Sequence, residues 1–330
     1  MKNFFTNSIS PKISTLQQNI NNGKTAEKYF SGLLTTALDA RVNFVSRTDD
    51  DAKLDLVTIM SHPWIKNSVE IFFTQVKSGP TYGEIKDEKL VIHTDKLQDL
   101  VGRNHNSLIC WTKLDDSEAY WFFIKSNARF FKSEYNFTHK LSPLTKFDLT
   151  RMVNSVNNKD GGKGLIFNRR NNKSKYTSEN YKILRNTAKS FYAKFKQQDI
   201  INPIFGKIDI TRLGWKHITR ERRWYYYEVA SLEIISILDK ILKLSPNKHY
   251  IVEHENSQDK EYHFRQNEFL LSYDNIKVFD QEQNKLINVR VFIKLLEIGS
   301  YLKTWKEKPE NTVIANRRVI FKSIYYKQSS

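Results

Sequence analysis

Apolar residues recur at intervals of three and four over residues 24–39, at Ala26, Phe30, Leu33, Leu34, Ala37 and Leu38, and predict an amphipathic helix. Glu27 lies at the edge of that stripe. Downstream the pattern changes. Residues 54–60 (LDLVTIM), 69–78 (VEIFFTQVKS), 107–112 (SLICWT) and 119–125 (AYWFFIK) are rich in β-branched and aromatic side chains and predict strands, with a helix near 94–100. Helix, strand, strand, helix, strand, strand is the order of an α/β layer with a mixed central sheet.

Beyond residue 152 the pattern changes again. An Asn/Gly/Lys-rich stretch predicts a linker or long loop. It contains Gly-Gly-Lys-Gly but not the longer phosphate-loop pattern, which excludes a nucleotide-binding loop of that kind. A helix follows over 178–198, its apolar residues interleaved with Lys182, Arg185, Lys189, Lys194 and Lys196. Residues 228–246 predict a long apolar helix ended by Pro246, and 249–255, 260–266, 289–297 and 317–327 predict short strands. A helical opening followed by an antiparallel meander is an α+β pattern. The expected organisation is a flexible segment over 1–22, an α/β domain over 23–152, a basic linker and helix over 153–205, and an α+β domain with an antiparallel sheet over 206–330.

Charge sharpens that division. The 330 residues carry 53 Lys+Arg against 36 Asp+Glu, a net charge of +17, too large for an ordinary metabolic enzyme and indicative of a polyanionic partner. Aromatic residues, at 13%, argue against a disordered chain. Residues 1–150 carry 19 basic and 17 acidic side chains, residues 151–250 carry 21 and 8, and residues 251–330 carry 13 and 11. The excess sits in the middle of the chain. Cys110 is the only cysteine, which excludes a disulfide framework and a Cys-based zinc site and fits a reducing cytoplasm. Residues 1–23 hold no apolar core of signal-peptide type, and no apolar run approaches the roughly 20 residues that span a bilayer, so a cytoplasmic location and no membrane partner are expected.

Candidate chemistry falls first on Glu27, Asp55, Gln75 and Lys77. Strand alternation points Gln75 and Lys77 to one face. Asp55 and Gln75 on adjacent strands could present two oxygens to one hard cation, with Glu27 reaching in from the helix. Lys77 could orient or help deprotonate an attacking water while the ion stabilises charge on a phosphodiester. The same Thr-Gln-Val-Lys-Ser alternation also describes an ordinary half-exposed strand. Asp49, Asp50 and Asp51 read as a solvated turn, with a role as extra ligands left open.

In these residues, and in the closing CWTKLDDSEAYWFFI, the chain resembles the PD-(D/E)xK nuclease superfamily, specifically a bacterial branch with a helix glutamate, a strand aspartate and QxK in place of ExK. The resemblance covers residues 20–150. It implies a restriction-endonuclease-like fold, with Glu27, Asp55 and Gln75 holding Mg²⁺ or Mn²⁺ and Lys77 as the catalytic lysine. Gln75 departs from the usual acid, and a neutral amide oxygen binds metal less strongly than a carboxylate.

Residues 208–230 crowd Lys216, His217, Arg220, Arg222 and Arg223 between Trp215 and Trp224. With Lys182, Arg185 and Lys189, these cations and aromatics suit phosphate neutralisation and base stacking. The W-x-H-I…R spacing and the strands VRVFIK and FKSIYYK resemble the barnase–colicin–RelE-like ribonuclease superfamily over residues 208–327. That resemblance implies a second, metal-independent catalytic site at His217, Arg220, Lys294, Ser323 and Tyr325. The leading expectation is a metal-dependent nuclease acting on nucleic acid, DNA ahead of RNA. A ribonuclease acting through His217 and a non-catalytic nucleic-acid-binding protein are the alternatives. Two nuclease-like modules on one chain suit an antiviral defence effector, working as a homodimer or with a partner protein of the same system.

Overall fold

The computed structural model describes residues 15–45, 54–87, 89–113, 118–155, 161–169, 177–221, 224–307 and 315–329. These form two compact units of mixed α/β structure. The first comprises the described residues up to Ser61 together with Ser68–Thr145; the second comprises His62–Asn67 and the chain from Lys146 onward.

The first unit opens with α1 (Thr15–Leu38). The whole expected stripe is buried, from Ala26 to Leu38. The helix starts earlier than its apolar period, inside the segment expected to be flexible. Asp39, with φ of 52°, ends it in the left-handed region. Next come β1 (Ala40–Phe44), β2 (Leu56–Ser61) and β3 (Val69–Ser78). They are followed by β4 (Gly83–Lys86), β5 (Lys89–Ile92), a 3₁₀ helix (Thr94–Leu100), β6 (Ser107–Thr112), β7 (Ala119–Ile124) and β8 (Glu134–Tyr135). The main sheet runs β1-β2-β3-β6-β7, antiparallel except for β3 beside β6. β6 is buried along its whole length, which explains its unbroken apolar reading. β4, β5 and β8 form a small separate sheet that none of the predicted strands covers. Leu90, Ile92, Leu97 and Leu100 pack with Ile109, Trp111, Tyr120 and Phe122 of the main sheet.

The second unit contains α2 (Thr145–Asn154), β9 (Ile166–Arg169), α3 (Ser178–Phe195), β10 (Ile201–Asn202), β11 (Gly206–Asp209) and α4 (Arg212–Ile218). After these come α5 (Tyr225–Ile234), a 3₁₀ turn (Ile235–Ile237), α6 (Leu238–Leu242), β12 (Lys248–Gln258), β13 (Tyr262–Asp280), β14 (Lys285–Leu302) and β15 (Asn316–Gln328). Four expectations are corrected here. The helix expected as part of a basic linker over 153–205 is no linker helix, because Ala188, Tyr192 and Phe195 of α3 are buried in this unit's core. The long helix expected over 228–246 is interrupted: α5 runs into a 3₁₀ turn and then α6, with Ile237 at φ −118° and ψ 12° off helical geometry between them. The meander β12-β13-β14-β15 is antiparallel as expected, but β11 joins β15 and β9 joins β13 in parallel, so the sheet is mixed. Its strands also outrun the expected ones. Asp274 and Asn275 interrupt the apolar pattern without ending β13, because a bulge with Asn275 at φ 64° absorbs them.

Phe269 and Leu271 of β13 and Val291 and Ile293 of β14 enter the core with α3, α5 and α6. Further along that face a buried ion network replaces apolar packing. Arg265 grips Asp148 through both oxygens at 2.6 and 3.1 Å. Arg151 bridges Asp148 at 3.0 Å and Glu297 at 2.6 Å, and Arg317 also reaches Glu297 at 2.6 Å. Stacking of Arg317 on Trp64 and Phe147 ties the short 62–67 segment into this unit.

Candidate active site and a second basic cavity

In the first unit a cavity of about 1200 Å³ is lined by Glu27 of α1, Asp55 at the mouth of β2, and Lys77 at the end of β3, with Tyr82, Trp111 and Lys113 among the remaining walls. Three of the four expected residues thus meet from three separate elements. Asp55 is held by the backbone of β3: its N–H donates to the Thr74 carbonyl at 3.1 Å and its Oδ2 accepts from the Val76 N–H at 2.6 Å. Lys77 Nζ lies 5.0 Å from the centroid of the Tyr82 ring, a cation–π distance. The Trp111 indole donates to the Gly79 carbonyl at 3.1 Å and so fixes the turn that follows Lys77. Burial, and after it the Asp55 carboxylate, push the Cys110 thiol far above its ordinary range, which makes the lone cysteine an inert core residue.

Gln75 stands apart. It is 3% exposed and lies outside the cavity lining, and its Oε1 is buried without a hydrogen-bond partner. A buried acceptor with no donor is unfavourable by itself. A hard cation would satisfy it, together with the carboxylates of Glu27 and Asp55. Two carboxylates and an amide oxygen are the donor chemistry that a divalent ion such as Mg²⁺ takes. Among the described residues no group of three or more His, Cys, Asp or Glu side chains is placed to hold a metal.

The second unit has a cavity of about 490 Å³, lined by His217 of α4, Arg220, Trp224 and Tyr227, and, on the strands, Glu253, Glu268, Lys294, Lys322, Ser323, Tyr325 and Lys327. All five residues expected at a second site line it. Lys294 pairs with Ser323 across the sheet, and the next pair is Leu295 with Phe321, so Lys322 is the extra residue of a bulge. The bulge frees Lys322 from simple alternation. Both lysines then reach Glu268, Lys294 at 2.5 Å and Lys322 in closer contact on the other oxygen. Burial alone would raise the Glu268 carboxyl, but the two ammonium groups outweigh it and hold it below its ordinary value.

The remaining described candidates line neither cavity. Lys182, Arg185 and Lys189 lie exposed on α3, and Lys216 is exposed on α4. Asp49–Asp51, Arg222 and Arg223 fall outside the described residues. The sequence reading missed Lys113, Tyr82, Glu268, Lys322 and Lys327. Lys322 and Lys327 flank Ser323 and Tyr325 in FKSIYYK, but alternation puts Lys322 on the opposite face until the bulge is known. No protein-family model, curated protein or solved structure matches the chain.

Proposed function

We propose that the chain is a metal-dependent nuclease that hydrolyses phosphodiester bonds in nucleic acid, DNA foremost, at the cavity of the first unit. One observation carries this reading: Glu27, Asp55 and Lys77, from a helix, the edge of one strand and the end of another, converge on one cavity, and the strand that carries Lys77 also carries Gln75, whose buried amide oxygen lacks a donor. The resemblance to PD-(D/E)xK nucleases, with its mixed sheet and QxK strand, supports the same reading, as does the net charge of +17.

A divalent ion, when bound, supplies Lewis-acid stabilisation of the charge that develops on the phosphate. Glu27, Asp55 and Gln75 would hold it. The Val76 N–H keeps the Asp55 carboxylate oriented without any help from substrate. Lys77 would position the attacking water and move its proton, with Tyr82 limiting where the ammonium can swing.

Cleavage of plasmid, single-stranded DNA and RNA in Mg²⁺, in Mn²⁺ and in EDTA tests the proposal. The expected result is cleavage in either metal, loss in EDTA, and loss in Asp55→Ala and Lys77→Ala with nucleic-acid binding retained. Full activity in either variant would overturn it.

A further inference from the structure

The cavity of the second unit carries more cationic than anionic side chains: Arg220, Lys294, Lys322 and Lys327 against Glu253 and Glu268. Glu268 is 4% exposed and each of its oxygens is taken by a lysine. It pins those two ammonium groups at the sheet surface and, with both oxygens engaged, is poorly suited to act as a base. Among the described residues neither Arg220 nor Lys327 is in an ion pair, and both are exposed. The positive charge therefore faces the opening.

Aromatic rings border the same cavity. Trp224 is 79% exposed, so the unit itself gives its indole little to pack on. Tyr325 stacks on Phe292 with centroids 5.1 Å apart and planes 20° apart, and Tyr227 meets Tyr325 edge-on at 5.9 Å. A rigid aromatic wall beside paired cations recognises an anion attached to a flat ring. The volume, about 490 Å³, lies in the range of small-ligand pockets.

We propose that this cavity binds a nucleoside phosphate of a single-stranded nucleic acid, with Arg220 and Lys327 on the phosphates and a base stacked on Trp224. A duplex keeps its bases paired and cannot offer one to the cavity, whereas a single strand can. The site needs no metal and is independent of the chemistry proposed for the first unit.

The test uses the full chain in EDTA, where metal-dependent cleavage is silent. Fluorescent single strands of DNA and of RNA, the same sequences as duplexes, and inorganic phosphate and mononucleotide as competitors are titrated over a salt series. Single strands of at least one sugar type are expected to bind about tenfold tighter than duplex, with mononucleotide competing better than inorganic phosphate. Trp224→Ala is expected to weaken binding about tenfold. Arg220→Glu with Lys327→Glu should flatten the salt dependence by roughly one to two units of slope. The altered side chains are exposed, so unchanged melting curves check that the variants fold. Asp55→Ala should bind as the unaltered protein does. Equal affinity for duplex, equal competition by bare phosphate, or unaltered binding in both sets of variants would overturn the proposal.

Discussion

The Asp55 carboxylate accepts a 2.6 Å hydrogen bond from the N–H of Val76, the residue that separates Gln75 from Lys77. The acid is thus positioned by the very strand that carries the other two groups, and any shift of β3 moves all three together. Asp55→Asn keeps the size and the possibility of that hydrogen bond but removes the charge. Its metal-dependent cleavage is expected to fall about 100-fold or more, with little change in melting temperature. Single-turnover cleavage measured beside thermal melts decides this; a wild-type rate would remove Asp55 from the reaction.

Gln75 offers a test that does not depend on turnover. Gln75→Glu replaces a buried orphan amide oxygen with a carboxylate close to Asp55. Without metal the extra buried charge should lower stability by about 1–3 kcal/mol. With Mg²⁺ the stability should recover, and calorimetric metal affinity should exceed that of the unaltered protein. Equal destabilisation with and without Mg²⁺ would show that no ion reaches this oxygen.

The buried ion network predicts an acid-sensitive second unit. Burial would raise the Glu297 carboxyl, but Arg151, Arg317 and Arg265 outweigh it and hold it far below its ordinary value. A depressed carboxylate stabilises the fold fully above its unfolded pKa of about 4.3 and loses that contribution as pH falls toward the folded value. Denaturant midpoints should therefore decline steeply below about pH 4. Glu297→Gln should be less stable by about 3–5 kcal/mol at neutral pH, because three guanidinium groups then share one carboxylate, and its acid slope should be shallower. An unaltered slope would relocate the acid sensitivity to other carboxylates.

Gly214 in α4 is a second lever. Gly to Ala inside a helix usually stabilises by about 0.5–1 kcal/mol. Here an added Cβ would lie 2.4 Å from Tyr192 Oη, 2.6 Å from Phe321 Cδ1 and 2.7 Å from the Phe321 carbonyl oxygen. Tyr192 cannot easily retreat, since its hydroxyl donates to the Thr211 carbonyl at 2.7 Å. Gly214→Ala is expected to destabilise by about 1–3 kcal/mol and to displace His217 and Arg220 from the second cavity. Equilibrium unfolding together with single-strand binding measures both effects; a more stable variant with intact binding would contradict the close packing of α4 on β15.

What the sequence could reveal follows the range of its signals. Local periodicity located α1, and composition located β3, because Phe30 and Leu34 recur on one helical stripe and Val69–Ser78 is β-rich throughout. The convergence of Glu27, Asp55 and Lys77 was legible because each sits at a fixed place in such an element. Glu268 was not. Its role depends on a lysine 26 residues away and another 54 residues away, and on a bulge that no alternation pattern encodes. The place of α3 was hidden for a similar reason: its many lysines mask the narrow stripe of Ala188, Tyr192 and Phe195 that the core takes up.

The pairing of β11 with β15 has a kinetic consequence. Ile208 lies beside Val319 and Asp209 beside Ile320, in parallel. Contacts between segments about 110 residues apart require closure of a long loop before they return any stabilisation, and they slow folding. On the ribosome, the meander from β12 to β14 can form while β11 still waits for β15. Until that last strand is made, α4 lacks Phe321, one of the two residues packed against Gly214, and the cavity containing His217 lacks the wall formed by Lys322, Ser323, Tyr325 and Lys327. The first unit, complete by Thr145, carries no such delay. A nascent chain would acquire its candidate metal site well before its basic cavity.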